Sequence, residues 1–252
     1  LIAKLFGKRV LLNYHSGEAE DHLRRWPRTT MPILRLADRV IVPSGYLVDV
    51  FARFGVQTEA IANTVDLERF TFRERQPLQP VLLSNRNLES HYNVAGVLRA
   101  FALIQRQIPE ARLVVAGNGS ENARIRALAN ELKLEQVEFV GSVSPAEMPA
   151  LYDRADVFVN ASLIDNLPLS LLEAFACGLA VVTSNAGGIP YIVANRSTGI
   201  VTALDDHEAI ANAVLELFGN QELAAQLITA ARAESQRYTW AAVRPAWCAI
   251  YR

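Results

Sequence analysis

The stretch Asp165-Asn-Leu-Pro-Leu-Ser-Leu-Leu-Glu173, with its continuation Ala-Phe-Ala-Cys-Gly178, decides the fold of this chain. An apolar run, Asp156-Val-Phe-Val-Asn-Ala-Ser162, precedes it, and a second, Leu179-Ala-Val-Val-Thr183, follows it. Both runs are typical of buried strands, whereas the piece between them has apolar residues at helical spacing and ends at a glycine. The sequence therefore predicts strand, loop, helix and strand. Pro168 stands at the start of the helix, where its missing N–H costs nothing.

A helix that begins at the carboxyl end of a parallel strand directs unpaired N–H groups and the positive end of its dipole into a crevice. Such a helix start binds anions, most often phosphate. Asp165 lies just before the helix and Glu173 lies within it. A carboxylate repels phosphate, but it accepts hydrogen bonds from the hydroxyls of a sugar or a ribose. The pattern suggests a nucleotide-sugar site, and the residues alone leave open the alternative of a solvated helix start with an exposed glutamate.

Two acids with seven residues between them, followed by Ala-Phe-Ala-Cys-Gly-Leu-Ala-Val-Val-Thr-Ser, resemble the donor-site signature of the family 4 (group 1) glycosyltransferases. The likeness covers nearly the whole chain. It implies a retaining enzyme of the GT-B type, which is built from two Rossmann-like α/β domains. In that family the first acid is usually a glutamate in a Glu-Gly-Phe-Gly setting. Here it is Asp165 followed by Asn166, so the resemblance does not identify the donor sugar.

Strand and helix patterns alternate regularly after residue 80, which predicts βαβ units and a parallel sheet with helices on both faces. We expect strands at 81–85, 112–116, 137–140 and 156–160, and helices near 93–107, 121–132 and 145–153. Gly117-Asn-Gly119 lacks the third glycine of a dinucleotide-binding turn, so a tight strand-to-helix turn is the better interpretation.

The resemblance divides the chain into four parts. They are a partial N-terminal, acceptor-side α/β domain at 1–72, a polar linker at 73–80, a complete donor-binding Rossmann-like domain at 81–236, and a helix at 237–252 that crosses back to the first domain. The chain begins with Leu1 and strand-like sequence follows at Val10. We therefore expect the first half of the N-terminal domain to be missing, and the 252-residue piece to bind nucleotide-sugar weakly with little or no turnover.

Composition excludes several other classes of protein. The net charge of −1 argues against nucleic acid as the main partner. Two distant cysteines, Cys177 and Cys248, suit buried thiols in a reducing compartment. No apolar run approaches the roughly 18–20 residues needed to cross a bilayer, so we expect a cytoplasmic protein. The basic residues around Trp26 suggest peripheral contact with the inner face of a membrane. We do not favour this contact, because acidic residues interrupt the basic cluster.

Arg86 follows a predicted strand, and a guanidinium group binds phosphate oxygens in pairs. In the family an arginine here, with a lysine about five residues further on, holds the donor diphosphate. That second position is His91 in this chain, or Tyr92 if the loop is one residue longer. Because a histidine is cationic only when protonated, phosphate binding through His91 should weaken as the pH rises.

The remaining site residues are implied by the resemblance. Glu173 holds the nucleotide ribose and Asp165 the donor sugar, while the turn at Val143 faces the base through its backbone. His15, at the end of the first strand, contacts the sugar or the acceptor. We expect His15, Arg86 and Asp165 to be catalytic. Arg86 and the amides of Asn166, Leu167 and Leu169 should stabilise the leaving diphosphate.

No Asp-x-Asp motif occurs, so we expect neither an obligatory metal nor a cofactor. The acceptor is a glycan, a lipid-linked sugar or a small molecule, and these residues do not identify it. Two alternatives stay open, a non-catalytic nucleotide-sugar-binding protein and another GT-B activity such as a sugar-nucleotide epimerase.

Overall fold

The computed structural model describes residues 2–251, which form two parallel β-sheets. The smaller sheet has the strand order β1-β2-β3, with β1 at Leu11–Asn13, β2 at Arg39–Val42 and β3 at Glu59–Ala60. Its helices are α1 (Ile2–Leu5), α2 (Ala19–Arg25), α3 (Pro27–Leu36) and α4 (Gly45–Arg53). Pro27 begins α3, where proline is tolerated because the first turn needs no N–H donor.

The larger sheet has six parallel strands in the order β6-β5-β4-β7-β8-β9. They are β4 (Val81–Ser84), β5 (Arg112–Ala116), β6 (Val137–Gly141), β7 (Val157–Asn160), β8 (Ala180–Ser184) and β9 (Ile200–Thr202). Its helices are α5 (Val94–Gln107), α6 (Asn122–Glu131), α7 (Met148–Asp153), α8 (Leu169–Cys177), α9 (His207–Gly219) and α10 (Gln221–Ser235). The predicted alternation is confirmed, and the largest shift of a boundary is at α7, which begins at 148 instead of 145.

Both faces of the larger sheet are covered. Leu82 and Leu83 enter different cores, because successive side chains of a strand point to opposite faces. Leu82 packs with Phe101 of α5 and with residues of α6 and α9, whereas Leu83 packs with Tyr152 of α7 and Phe175 of α8. Burial on both faces explains why these strands are almost continuously apolar in sequence. The α/β architecture of the GT-B type is therefore confirmed.

The order of the larger sheet reverses beside β4. This strand pairs in parallel with β5 on one side and with β7 on the other. The chain runs outward through β5 and β6 and then returns to the far side of β4. The loops that leave β4 and β7 therefore diverge and open a crevice beyond the carboxyl ends of these strands, which is where open α/β sheets bind ligands. Arg86 follows β4, and Asp165 follows β7.

The polar stretch 73–80 between the two sheets is packed against the larger one. Arg75 is only 3% exposed. Its guanidinium donates to the carbonyl of Tyr152 at 3.1 Å and to the carbonyl of Cys177, near the C-termini of α7 and α8. Helix ends leave such carbonyls without intrahelical partners. Burial lowers the pKa of Arg75 to about 10, so the group is still cationic at neutral pH.

The last helix, α11 (Trp240–Tyr251), returns to the smaller sheet. Val243 and Ile250 of this helix form a small core with Ile41 of β2 and with Ile61. Over residues 2–251, every helix is too short or too polar to cross a membrane.

Replacing Arg75 by Ala should lower the free energy of unfolding by about 3 kcal/mol, because buried carbonyls at two helix ends lose their donor. Urea denaturation monitored by circular dichroism measures the change. Arg106→Ala on the exposed face of α5 is the matched control and should change stability by less than about 0.5 kcal/mol. Equal stabilities of the two variants would show that Arg75 is not a structural residue.

Candidate functional site

A cleft of about 460 Å³ lies at the carboxyl ends of the strands, between the two sheets. Seven of the nine predicted site residues line it, namely His15, Arg86, His91, Asp165, Asn166, Leu167 and Leu169. A larger cleft of about 590 Å³, lined by Arg39 and Glu59, lies at the amino-terminal ends of β2 and β3. Since ligands of α/β sheets bind beyond the carboxyl ends of strands, the first cleft is the candidate site.

Arg86 is held on three sides. Its Nη2 lies 2.7 Å from Oδ2 of Asp165, and its Nη1 donates to Oγ of Ser170 at 3.2 Å. The guanidinium also lies over the ring of Tyr92, 4.1 Å from the ring centroid. Only 12% of the arginine side chain is exposed. The site therefore contains an oriented cation, and an aromatic face lies against it at Tyr92, the residue next to His91.

Asp165 accepts hydrogen bonds from within the protein. Oδ2 is bonded to Arg86, and Oδ1 accepts from the backbone N–H of Asn166 at 3.0 Å. The Asn166 amide, which the sequence assigned to the diphosphate, thus donates to the neighbouring carboxylate. In the described part of the chain, the amides of Leu167 and Leu169 have no hydrogen-bond acceptor. These two amides, at the start of α8, point to the anion-binding role that the sequence predicted.

The side chain of Asn166 links the two sheets. It is 4% exposed, accepts a hydrogen bond from Oγ of Ser44, and donates to the carbonyl of His15 at 3.4 Å. Nearby, Nδ2 of Asn63 donates to the carbonyl of Leu167 at 3.1 Å. The sequence identified Ser44 only as the N-cap of α4, a role that it also fills. The loop that carries Asp165 is therefore bonded to residues of the smaller α/β unit.

Gly187 and Gly188, which the sequence analysis missed, support the same loop from the other side. A Cβ at Gly187 would lie 2.2 Å from the carbonyl oxygen of Asp165, and one at Gly188 would lie 2.1 Å from that of Asn166. Both distances are far below contact, so only glycine fits. A Gly-Gly pair directly after a strand is a recognisable turn signal, but the sequence does not reveal which backbone it touches.

Glu173 lies one turn into α8, on the same side of the sheet as Arg86. Arg86 bonds to the hydroxyl of Ser170, and the hydroxyl of Tyr152, which donates to Glu173 at 2.7 Å, lies 3.1 Å from the carbonyl of the same serine. Burial raises the pKa of Glu173, while the Tyr152 hydrogen bond opposes that rise. The arrangement joins the cation and the second carboxylate through two residues, Ser170 and Tyr152. Arg86 and Glu173 therefore lie near each other, but Glu173 is not among the residues that line the cleft, and its role in binding stays a prediction.

For three predicted residues, the structure shows no side-chain hydrogen bond within the described part of the site. Val143 packs against the core beneath α7 and α8, outside the lining of the cleft. His15 lines the cleft and offers its carbonyl to Asn166. The carbonyl of His91 accepts from the amide of Leu163 at 2.8 Å, and the ring of His91 leans on Tyr92. The binding or catalytic roles of these three residues stay predictions.

Comparisons with known proteins identify the family to which the chain is similar. A family model described as glycosyl transferases group 1 matches residues 68–234. Over 89% of the chain, the sequence is 32% identical to a GDP-mannose-dependent alpha-(1-6)-phosphatidylinositol monomannoside mannosyltransferase of Mycolicibacterium smegmatis, of which 65% is covered. It is 30% identical over 94% of its length to a glycogen synthase of Mycobacterium tuberculosis, of which 59% is covered. The chain thus spans about three fifths of these relatives.

Among solved structures, Anabaena Alr3699/HepE in complex with UDP and glucose is similar in fold, with a TM-score of 0.87 at 20% sequence identity. The match covers 99% of this chain and 73% of that one. At this identity, the likeness concerns the fold alone.

Gly188→Ala should lower the free energy of unfolding by about 1–3 kcal/mol, because a methyl group cannot lie 2.1 Å from the Asn166 carbonyl without moving backbone. Amide hydrogen exchange should quicken at 165–167. The control is Gly219→Ala, where a Cβ meets no atom within 4 Å. If the two variants behave alike in urea denaturation and in exchange, the glycine pair does not support the Asp165 loop.

Proposed function

The chain belongs to the glycosyl transferases of group 1, and on that premise we propose that its cleft binds a nucleotide-diphosphate sugar and transfers the sugar to an acceptor. We assign the chain to the retaining family 4 enzymes. One observation carries the proposal: Arg86, held by Asp165 at 2.7 Å, lies at the start of α8, where the Leu167 and Leu169 amides are unpaired among the described residues. The relative in Mycolicibacterium smegmatis is described as dependent on GDP-mannose.

The diphosphate occupies the start of α8 in this proposal. The helix dipole and free amides favour an anion there, each by a modest amount, and the guanidinium adds charge-assisted hydrogen bonds of about 1.5–3 kcal/mol. As the sugar–phosphate bond breaks, negative charge grows on the diphosphate. Arg86 is oriented in advance by Asp165, Ser170 and Tyr92, so it stabilises that charge with little rearrangement.

The two acids have different tasks. An ionised carboxylate has about four acceptor positions, and Asp165 uses two of them on Arg86 and the Asn166 amide. The others are available for hydroxyls of the donor sugar, so Asp165 both orients the cation and faces the sugar. Glu173, further along α8, accepts the hydroxyls of the ribose. His15 lies across the cleft and contacts the sugar or the acceptor. This chemistry needs no metal and no cofactor.

In this proposal the acceptor binds on the side of the cleft that the smaller sheet forms. It is a glycan, a lipid-linked sugar or a small molecule. The chain spans 65% of the first curated relative, so transfer activity of the whole protein is part of the proposal. Because little or no turnover is expected of the 252-residue piece, only binding without turnover by the whole protein would favour the non-catalytic alternative. Peripheral membrane contact stays a prediction.

A thermal-shift screen of nucleotide-sugars should find at least one that raises the melting temperature, since a ligand at 100 times its Kd stabilises the folded form by about 2.7 kcal/mol. Arg86→Ala and Glu173→Ala should each weaken binding by about tenfold to a hundredfold, through loss of charge-assisted hydrogen bonds. The exposed residues Arg106 and Glu110 supply matched alanine controls. If both site variants show the same shift in melting temperature as the wild type, the donor site lies elsewhere.

Nucleotide binding should weaken as the pH falls. Glu173 accepts ribose hydroxyls most strongly as a carboxylate, and burial raises its pKa above the ordinary value for glutamate. Its contribution is therefore complete well above that raised pKa and is lost as the pH falls through it. Titration calorimetry between about pH 4.5 and 8 should show this loss in the wild type. Glu173→Gln should bind more weakly at neutral pH and lack this acid limb, and a limb that persists in that variant would belong to another group.

A further inference from the structure

Tyr152 is a buried tyrosine whose hydroxyl group lies beneath the cleft lining, among polar side chains. Its side chain is 0% exposed, and its ring packs edge-on against Phe70, with centroids 5.8 Å apart. The hydroxyl oxygen lies 2.7 Å from Oε2 of Glu173 and 2.7 Å from Nδ2 of Asn85. Three elements thus meet at one oxygen, since Asn85 follows β4, Tyr152 belongs to α7 and Glu173 to α8.

The direction of these hydrogen bonds is fixed by what each group can donate. Nδ2 of Asn85 is a donor, so it donates to the tyrosine oxygen. The single phenolic proton then goes to the carboxylate of Glu173, which is nearer and more strongly accepting than the neutral carbonyl of Ser170 at 3.1 Å. The chain of hydrogen bonds therefore ends on one oxygen of Glu173 and leaves the other oxygen for a ligand.

We propose that Tyr152 is a positioning residue, which with Asn85 holds the carboxylate of Glu173 in the orientation that accepts the hydroxyls of the donor ribose. The inference rests on the proposed function, because it specifies how that site recognises its nucleotide. A half-buried carboxylate without this donor would rotate about its side-chain torsions and would hold its proton more tightly. The aromatic core around Tyr152 needs only the ring, so the hydroxyl serves Glu173.

Tyr152→Phe keeps the ring and removes the hydroxyl, and titration calorimetry with UDP, GDP and their 2′,3′-dideoxy forms measures the effect. Wild-type protein should bind UDP or GDP more tightly than the corresponding dideoxy form. The variant should lose about tenfold in affinity for the ribonucleotide, the size of one hydrogen bond to a charged group, and none for the dideoxy form. A purely structural defect would weaken both forms equally.

The pH profile gives a second readout. The Tyr152 hydrogen bond lowers the pKa of Glu173 against the effect of burial. Its removal should therefore shift the acid limb of ribonucleotide binding to higher pH. Tyr251→Phe, at an exposed tyrosine, is the matched control and should change neither the preference for ribose nor the pH profile.

The outcomes separate the two proposals. If neither UDP nor GDP binds the wild type, the proposed function fails and the role of Tyr152 fails with it. If the wild type prefers ribose and Tyr152→Phe keeps that preference and the same pH profile, the positioning role is wrong and the function stands. Should Tyr152→Phe lose its native circular dichroism, Asn85→Ala decides, because it removes the donor to the tyrosine oxygen and so weakens the hydrogen bond that this hydroxyl donates to Glu173. A reduced ribose preference in Asn85→Ala supports the inference, and an unchanged one overturns it.

Discussion

The ion pair between Arg86 and Asp165 is the interaction on which the site depends. It joins the loop after β4 to the loop after β7, and both side chains are almost buried. Desolvation of two charges offsets much of their attraction, so such a pair adds little to overall stability. Its effect is on geometry. The guanidinium is fixed between a carboxylate, the Ser170 hydroxyl and the ring of Tyr92, so a single cation has one orientation at the start of α8.

The position of Asp165 is in turn set by contacts from other parts of the molecule. Asn166 reaches to Ser44 and to the carbonyl of His15, and Gly188 lies against the carbonyl of Asn166. The loop is therefore enclosed between the smaller unit and the turn after β8. A side chain that bridges the two units at this point couples their relative position to the position of Asp165. The family's usual glycine has no side chain with which to make that bridge.

The environments of the two acids explain their separate roles. Asp165 faces a permanent cation and accepts a backbone amide, so its charge is well compensated. Glu173 is half-buried beside a tyrosine hydroxyl, and burial raises its pKa. The first acid therefore orients a cation, while the second accepts a hydrogen bond from a neutral hydroxyl, and the roles proposed for them differ accordingly. Seven residues lie between the two acids, which places them on one loop and the helix that follows it. Their surroundings differ because Asp165 contacts the loop after β4, whereas Glu173 contacts α7.

The sequence by itself determined the helices and strands, and it indicated the strand ends and the helix start at which a ligand could bind. The period of the apolar residues predicted β5 at 112–116 and the helix after Pro168, and Arg86 was placed at a strand end. It did not predict that Arg86 pairs with Asp165, that Asn166 crosses to Ser44, or that Tyr152 holds Glu173. Local periodicity follows from the chain's immediate neighbours, whereas these contacts depend on which strands adjoin and how the two units meet. Only tertiary packing decides which strands adjoin and where the two units touch.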